Sequence, residues 1–238
     1  MRLNLNDVER RRLVEKTEGS QVYFNPVSLF FYDTVVYKLV SRFFWGCSTI
    51  SLVERYQKFV DARHLEVGVG TGYLIDYFNP VAIDLTLMDL SESCLKKSAK
   101  RLVRYSPKMV KNNILQEYNE PIKPFLSIGL NYVMHCVAGD FSIKSIAFKN
   151  LKLLLDDEGV LFGVTVLNTT KSSIFAKGLM YLLNKIGVFN NTLDTILDLK
   201  KGLEQHFNYV DIETSSSAVL FFATDSERAF LVHKAAIK

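Results

Sequence analysis

His64-Leu65-Glu66-Val67-Gly68-Val69-Gly70-Thr71-Gly72 is the stretch that decides the fold, because an apolar strand runs in it straight into a turn where glycine alternates with other residues. Tyr73-Leu74-Ile75-Asp76-Tyr77-Phe78 then opens an apolar helical pattern. Glycine lets the backbone bend to angles that other residues resist and approach a ligand closely, just where the first N–H groups of a helix lack partners. Such a turn suits a polar or negatively charged ligand.

The dinucleotide fingerprint Gly-x-Gly-x-x-Gly needs its third glycine where Tyr73 stands, so here that glycine comes one residue early. A nicotinamide oxidoreductase is disfavoured for that reason. Glu66 lies two positions before Gly68, and Asp89 closes the next apolar strand, Leu85-Thr86-Leu87-Met88. Carboxylates at two adjacent strand ends suit a ligand that carries both an ammonium group and a ribose.

The Glu-x-Gly-x-Gly-x-Gly pattern with the strand-ending Asp89 resembles the first two motifs of class I S-adenosylmethionine-dependent methyltransferases. Leu130 to Cys136, Gly159 to Leu167 and Phe43-Phe44-Trp45-x-Cys47 look like the small-molecule methyltransferase subgroup of bacteria and fungi. The resemblance covers most of the chain. It implies an α/β fold, a Rossmann-like sheet of seven mostly parallel strands finished by a C-terminal antiparallel hairpin, with S-adenosyl-L-methionine as cofactor. It brings Glu66, Gly68 and Gly70 to the methionine end of that cofactor, with Thr71 and Gly72 completing the turn. It brings Asp89, followed by Leu90, to the ribose, and Asn113 and Ile114 to the adenine, where the competing reading is a plain surface loop. Asn131 belongs to the same edge.

Alternation along the chain agrees with that architecture. Strands ending at Asp89, at Met109-Val110-Lys111, at Leu126 to Met134 and at Val160 to Leu167 alternate with helices, as a parallel sheet with right-handed crossovers requires. Ligands of such sheets sit beyond the carboxyl ends of the strands. Ser91 is expected to cap a helix from Glu92 to Tyr105, and Ser142 one from Ile143 to Leu155, with Asp157-Glu158-Gly159 turning into the fifth strand. Further helices are expected over Ser172 to Leu183 and Leu193 to His206, and Tyr209 to Glu213 with Ala218 to Ala223 reads as the hairpin.

The 238 residues are read as one methyltransferase domain, with an N-terminal helical cap over 1–62 and the cofactor-binding core over 63–238. The cap comprises a polar helix from Asn6 to Glu18, an aromatic one from Asn25-Pro26 to Trp45, and a third from Ser48 to Val60. Its aromatic surplus either packs on the core or roofs a substrate pocket. Asp33, Lys38 and Arg42 interrupt the aromatic helix, so it falls short of the ~20 nearly unbroken apolar residues of a membrane span.

A net charge of +4, with acids interrupting the Arg10-Arg11-Arg12 run, argues against a nucleic-acid partner. Three widely spaced cysteines, without a Cys-x-x-Cys pair, argue against a disulfide framework or a zinc site. No signal pattern opens the chain, and the expected location is cytoplasmic. A homodimer is left open.

Methyl transfer from a sulfonium is an in-line displacement in which positioning matters most, on the order of 7 to 11 kcal/mol in well-aligned systems. A general base adds less, about 10²- to 10⁴-fold. His135, just past the fourth strand, is the candidate base, the competing reading being a structural histidine. Tyr32 and Tyr37 are candidates on the acceptor side. His64, at the far end of the first strand, is expected to have no catalytic role, and His206 and His233 to be exposed. The expected activity is O- or N-methylation of a small, apolar or aromatic metabolite. The alternative is a non-methylating relative, either a partner subunit or an enzyme that uses the bound sulfonium to assist a rearrangement.

Overall fold

The computed structural model of the chain describes residues 7–19 and 33–236. Seven strands form one sheet: β1 (Arg63–Val67), β2 (Asp84–Asp89), β3 (Lys108–Lys111), β4 (Phe125–Asn131), β5 (Leu155–Val166), β6 (Tyr209–Ser215) and β7 (Ala218–Thr224). Their order is β3-β2-β1-β4-β5-β7-β6, with only the β5–β7 and β7–β6 pairs antiparallel. The helices are α1 (Asp7–Gly19), α2 (Thr49–Phe59), α3 (Tyr73–Phe78), α4 (Glu92–Arg101), α5 (Phe141–Lys152), α6 (Ile174–Lys185), α7 (Ile196–Glu204) and α8 (Glu227–Ala235).

Alternation of side chains along the strands sorts the core onto the two faces of the sheet. Leu65 and Val67 point to the side covered by α5 and α7, where Phe148, Leu151, Leu199 and Leu203 are buried. Phe162, Val164 and Val166 point to the other side, against Tyr56 and Phe59 of α2, Leu74 and Ile75 of α3, and Met180 of α6. His64 and Glu66 alternate with Leu65 and Val67, so both share the second face with α2. Burying a side chain the size of Phe148 contributes about 1.5 to 3 kcal/mol.

The strand ends fix the ligand edge. Val67 pairs with Met88 on one side and Leu130 on the other, so β1, β2 and β4 all stop at one level. The Gly68 N–H continues the ladder to the Met88 carbonyl at 2.7 Å, and only then does the chain turn away.

Several boundaries differ from the sequence expectation. The described part of the aromatic cap helix is π-helical over Asp33–Val40, followed by a single turn at Ser41–Phe43. β4 stops at Asn131, because Tyr132 takes the left-handed angle φ 59° and ends the ladder. Asp140 caps α5, accepting from the Ser142 N–H at 3.0 Å, and Ser142 lies inside the first turn. A carboxylate accepts at a helix N-terminus more strongly than a hydroxyl. Asp157-Glu158-Gly159 belongs to β5, across an irregular register with β4.

The C-terminal helix α8 was not legible as an element, and it buries His233 at 2% exposure against Phe222 and Phe59. His233 Nε2 meets Asp211 Oδ2 at 2.8 Å, which corrects the expected exposed tail. Among the described residues, no helix is long and apolar enough to cross a membrane.

Candidate functional site

A cleft of about 730 Å³, its open mouth included, lies beyond the ends of β1, β2 and β4. Three short stretches build its floor: the glycine turn, Asp89-Leu90 and Asn112-Asn113-Ile114. Asn131, Tyr132, Val133, Cys136 and Val137 form the facing wall, with Tyr37 from the cap and Thr17 from α1.

Gly68 and Gly70 line the cleft with φ of 64° and 54°, in the left-handed region where a Cβ brings strain. A Cβ on Gly68 would sit 2.2 Å from Val133 Cγ2, so the turn and the wall meet only because this residue has no side chain. Asp89 closes β2 with Oδ2 accepting from the Gly70 N–H at 3.1 Å and Oδ1 from the Ser91 N–H at 2.8 Å. Burial raises its pKa to about 6, beyond what those backbone bonds return.

Asn113 is buried, and its Oδ1 accepts from the Leu115 N–H at 3.1 Å. Its Nδ2 is buried and has no hydrogen-bond partner among the described residues, and Asn113 is one of the residues that line the cleft. A buried amide left unpaired costs about 1 to 3 kcal/mol, so the position is prepared for an acceptor atom on a ligand. Together with the glycine cradle, this orphan donor fits the cofactor that the motifs imply.

Glu66 faces a smaller recess of about 220 Å³ that adjoins the cleft at Gly68, Tyr37 and Asn131. Its carboxylate is held on both sides: Tyr56 donates its hydroxyl to Oε1 at 2.5 Å, and His64 Nε2 lies 3.0 Å from Oε2. Ser127 Oγ meets the other His64 nitrogen at 2.8 Å, and Asn131 Nδ2 donates to the Tyr56 hydroxyl at 2.9 Å. A chain of polar groups thus runs from the start of β1 to the cleft wall. Burial, then the charge on Glu66, pushes the Tyr56 phenol well above its ordinary value. The pattern of alternation placed Glu66 and His64 on one face, but nothing in the sequence marked Tyr56 as their partner.

Thr71 and Gly72 turn away from the main cleft. Thr71 is fully buried and donates its hydroxyl to Asp33 Oδ1, and Arg101 donates to the Thr71 carbonyl at 3.0 Å and to Asp33 Oδ2 at 2.6 Å. Gly72 precedes α3 at φ 73° and packs against Ser98 of α4 and Leu102 just past its end, while lining the smaller recess. Asp33 and Arg101 therefore clasp the cap to the glycine turn. The one available signal was Asp33, the single acid of the aromatic cap stretch from 25 to 45.

Tyr37 enters both hollows and stacks on Tyr73 at 5.1 Å between ring centroids. Tyr132 lies beside it at 6.2 Å, its hydroxyl 2.5 Å from Ser41 Oγ. Burial raises both phenols, and Tyr37 also feels Glu66 and Asp33. Tyr32 lies outside the described residues.

His135 does not line the cleft. It is buried against Phe189 at 4.2 Å, and the Val166 N–H donates to its Nδ1 at 3.3 Å, which leaves its other nitrogen carrying the proton. Burial, then the Lys144 cation, lowers its pKa to about 3. A neutral ring whose lone pair is already taken by a backbone donor joins the end of β5 to the 132–137 loop. The same loop is tied to the polar insert after α6: the Asn190 N–H donates to the His135 carbonyl at 2.7 Å, and Asn190 Nδ2 to the Cys136 carbonyl at 3.1 Å. Lys144 in turn donates to the Asn190 carbonyl and to Asp194 Oδ2, with both charged side chains wholly buried.

No protein-family model matches the chain. It is similar to the methyltransferase aurB of Calcarisporium arbuscula, with 36% identity over 224 residues, 87% of this chain and 96% of that one. It is 37% identical over 179 residues to the demethylluteothin O-methyltransferase of Streptomyces thioluteus, 74% of this chain and 78% of that one. The solved structure of PigF with S-adenosylhomocysteine shares the fold at TM-score 0.65 and 16% identity, over 91% of this chain and 69% of that one.

Proposed function

We infer the reaction from one premise, that the chain belongs to the class I S-adenosylmethionine-dependent small-molecule methyltransferases: it methylates an oxygen or nitrogen of a small, apolar or aromatic acceptor by in-line transfer. The cofactor when bound supplies an electrophilic methyl group on a sulfonium. The observation that carries the reading is the cleft itself, where a glycine cradle, a carboxylate and an orphan amide line one side and two tyrosines line the other.

Gly68 and Gly70 admit the methionine portion of the cofactor, with Glu66 and Asn131 held toward it by Tyr56. Asp89 accepts from the ribose hydroxyls, and Asn113 donates Nδ2 to a ring nitrogen of the adenine between Leu90 and Ile114. Tyr37 and Tyr132 present ring faces and hydroxyl edges to the acceptor. Relatives bear the names of both O- and N-methyltransferases, which supports either acceptor atom.

Catalysis here rests on positioning. Both tyrosines hold their protons tightly, and His135 spends its lone pair on the backbone. The acceptor is therefore bound in the form that attacks, or releases its proton to water as the new bond forms. Orientation within the cleft supplies most of what is needed for a reaction in which a sulfonium gives up its methyl group and leaves as a neutral thioether.

Calorimetry of S-adenosylmethionine binding to the wild type, Asp89→Ala and Gly70→Val tests the cofactor assignment. Micromolar affinity lost in both variants supports it, and absence of binding to the folded wild type overturns it. Screening apolar phenols and amines for S-adenosylhomocysteine release then tests the acceptor class.

A further inference from the structure

The outer face of α6 is not used by the fold. Its inner side buries Ala176 and Met180, with Leu179 and Leu183 packed partly beneath. Its outer side leaves Ile174 at 79%, Phe175 at 76%, Tyr181 at 70% and Leu182 at 51% exposure, and Ile186 follows at 45%. Residues 174, 178, 181 and 185 fall in one line along a helix, with 175, 182 and 186 beside them. The exposed apolar side chains therefore form one continuous stripe. Gly178, at its middle, has open space where a side chain would be.

Charge separates the possible occupants. From residue 159 to residue 193 the chain holds three lysines, Lys171, Lys177 and Lys185, and no acid. Lys177 borders the stripe and Lys185 lies at its end, and both are exposed. Arg42 and Phe43 repeat the pairing of cation and exposed ring on the neighbouring cap turn, which Ser215 ties down through the Gly46 carbonyl at 2.6 Å. A second copy docked face to face would oppose these lysines to themselves without a carboxylate on the face to pair them, since such an interface is self-complementary. An anionic surface meets both features at once: the apolar side chains enter the acyl boundary while the lysine stems lie along it and hold their charges in the headgroup layer.

We propose that the outer face of α6 docks the protein on an anionic lipid surface. Such docking places the enzyme where apolar small molecules partition.

The test is flotation of the full chain with vesicles of phosphatidylcholine containing phosphatidylglycerol, against vesicles of phosphatidylcholine alone, with Phe175→Asp and the double variant Lys177→Glu/Lys185→Glu beside the wild type. S-adenosylmethionine affinity and the circular dichroism spectrum, unchanged in all three, show that the fold is intact. The wild type is expected to float with the anionic vesicles, at least about tenfold less with neutral ones, and to be released by salt. Each variant is expected to lose about tenfold or more of the anionic binding. Failure of the wild type to float, equal flotation of Phe175→Asp, or a wild-type dimer by light scattering that Phe175→Asp makes monomeric would each overturn the proposal. So would retention on an immobilised acidic peptide without vesicle binding.

Discussion

The two sides of the cleft are built by different means. The side assigned above to the cofactor comes from backbone at three strand ends: Gly68 and Gly70 at left-handed angles, Asp89 bonded to N–H groups of its own and the neighbouring turn, and Asn113 bonded two residues ahead. Each of these devices is complete within a few residues, or across one strand pair. The side proposed for the acceptor comes from side chains that meet only through folding: Tyr37, Ser41 with Tyr132, and a 132–137 loop held by Asn190, Lys144 and Asp194. The first side is therefore constrained by chain geometry and the second by packing, and the two touch where Gly68 meets Val133. Relatives of this chain are named as O- and as N-methyltransferases.

The contrast is tested most severely at the Lys144–Asp194 pair. Lys144→Met leaves the Asp194 carboxylate uncompensated in a site with no solvent, at an expected cost of about 3 to 5 kcal/mol in urea unfolding. Lys144→Met/Asp194→Leu is expected to recover most of it, and failure to recover would mean that the Asn190 carbonyl bond, not the charge pair, holds the insert. On the cofactor side, Gly68→Ala meets both the positive φ and Val133. It is expected to cost about 2 to 4 kcal/mol of stability and to abolish measurable S-adenosylmethionine binding. A variant that binds normally would show that the turn is looser than its geometry.

Asp89 gives a pH test with a definite sign. Its carboxyl titrates near 6 when folded and near its ordinary 3.8 when unfolded, so the folded chain binds a proton that the unfolded chain releases between those values. Its contribution to stability therefore falls as pH rises through that window. On the ribose-binding role proposed for Asp89, cofactor binding runs the opposite way, because ribose hydroxyls donate to the ionised form. Affinity for S-adenosylmethionine is expected to rise about tenfold from pH 5 to pH 7, and Asp89→Asn to be flat over that range. A wild type with no slope would remove the ionised carboxylate from the binding account.

The smallest expected effect is on the acceptor side. Ser41→Ala removes one partner of the Tyr132 hydroxyl and is expected to raise the acceptor KM about two- to tenfold, the worth of one hydrogen bond, with cofactor affinity unchanged. A parallel loss of cofactor affinity would show the two sides to be coupled, and the clasp of Asp33, Thr71 and Arg101 would be the path to examine.

How much could be read beforehand follows the same division. The stretch from His64 to Phe78 and the strand ending at Asp89 carry glycine spacing, apolar runs and punctuating acids, and the alternation of strands with helices and the terminal hairpin pattern are such local signals, whereas the count of seven strands came with the family resemblance and their order only with the structure. Asp140 displaced Ser142 as a cap because two neighbouring residues could both serve, and only the helix start chooses between them. His135 was singled out for its position past β4, yet which way its ring turns depends on Val166, 31 residues away. Tyr56 and Arg101 gave no signal, since a tyrosine or an arginine on an amphipathic helix reads alike whether it meets solvent or a buried carboxylate.

The sequence by itself determined the alternation of strands and helices and the ligand edge, because backbone angles and side-chain alternation act over a few residues and leave a local pattern; the expected cofactor came from the resemblance of its glycine and acid spacing to a family. Only the tertiary structure decided which polar groups meet there: Tyr56 with Glu66 and His64, Arg101 with Asp33, and Lys144 with Asp194. Those pairings are chosen by burial, which forces each polar group to find a partner among whatever the packed helices bring within reach.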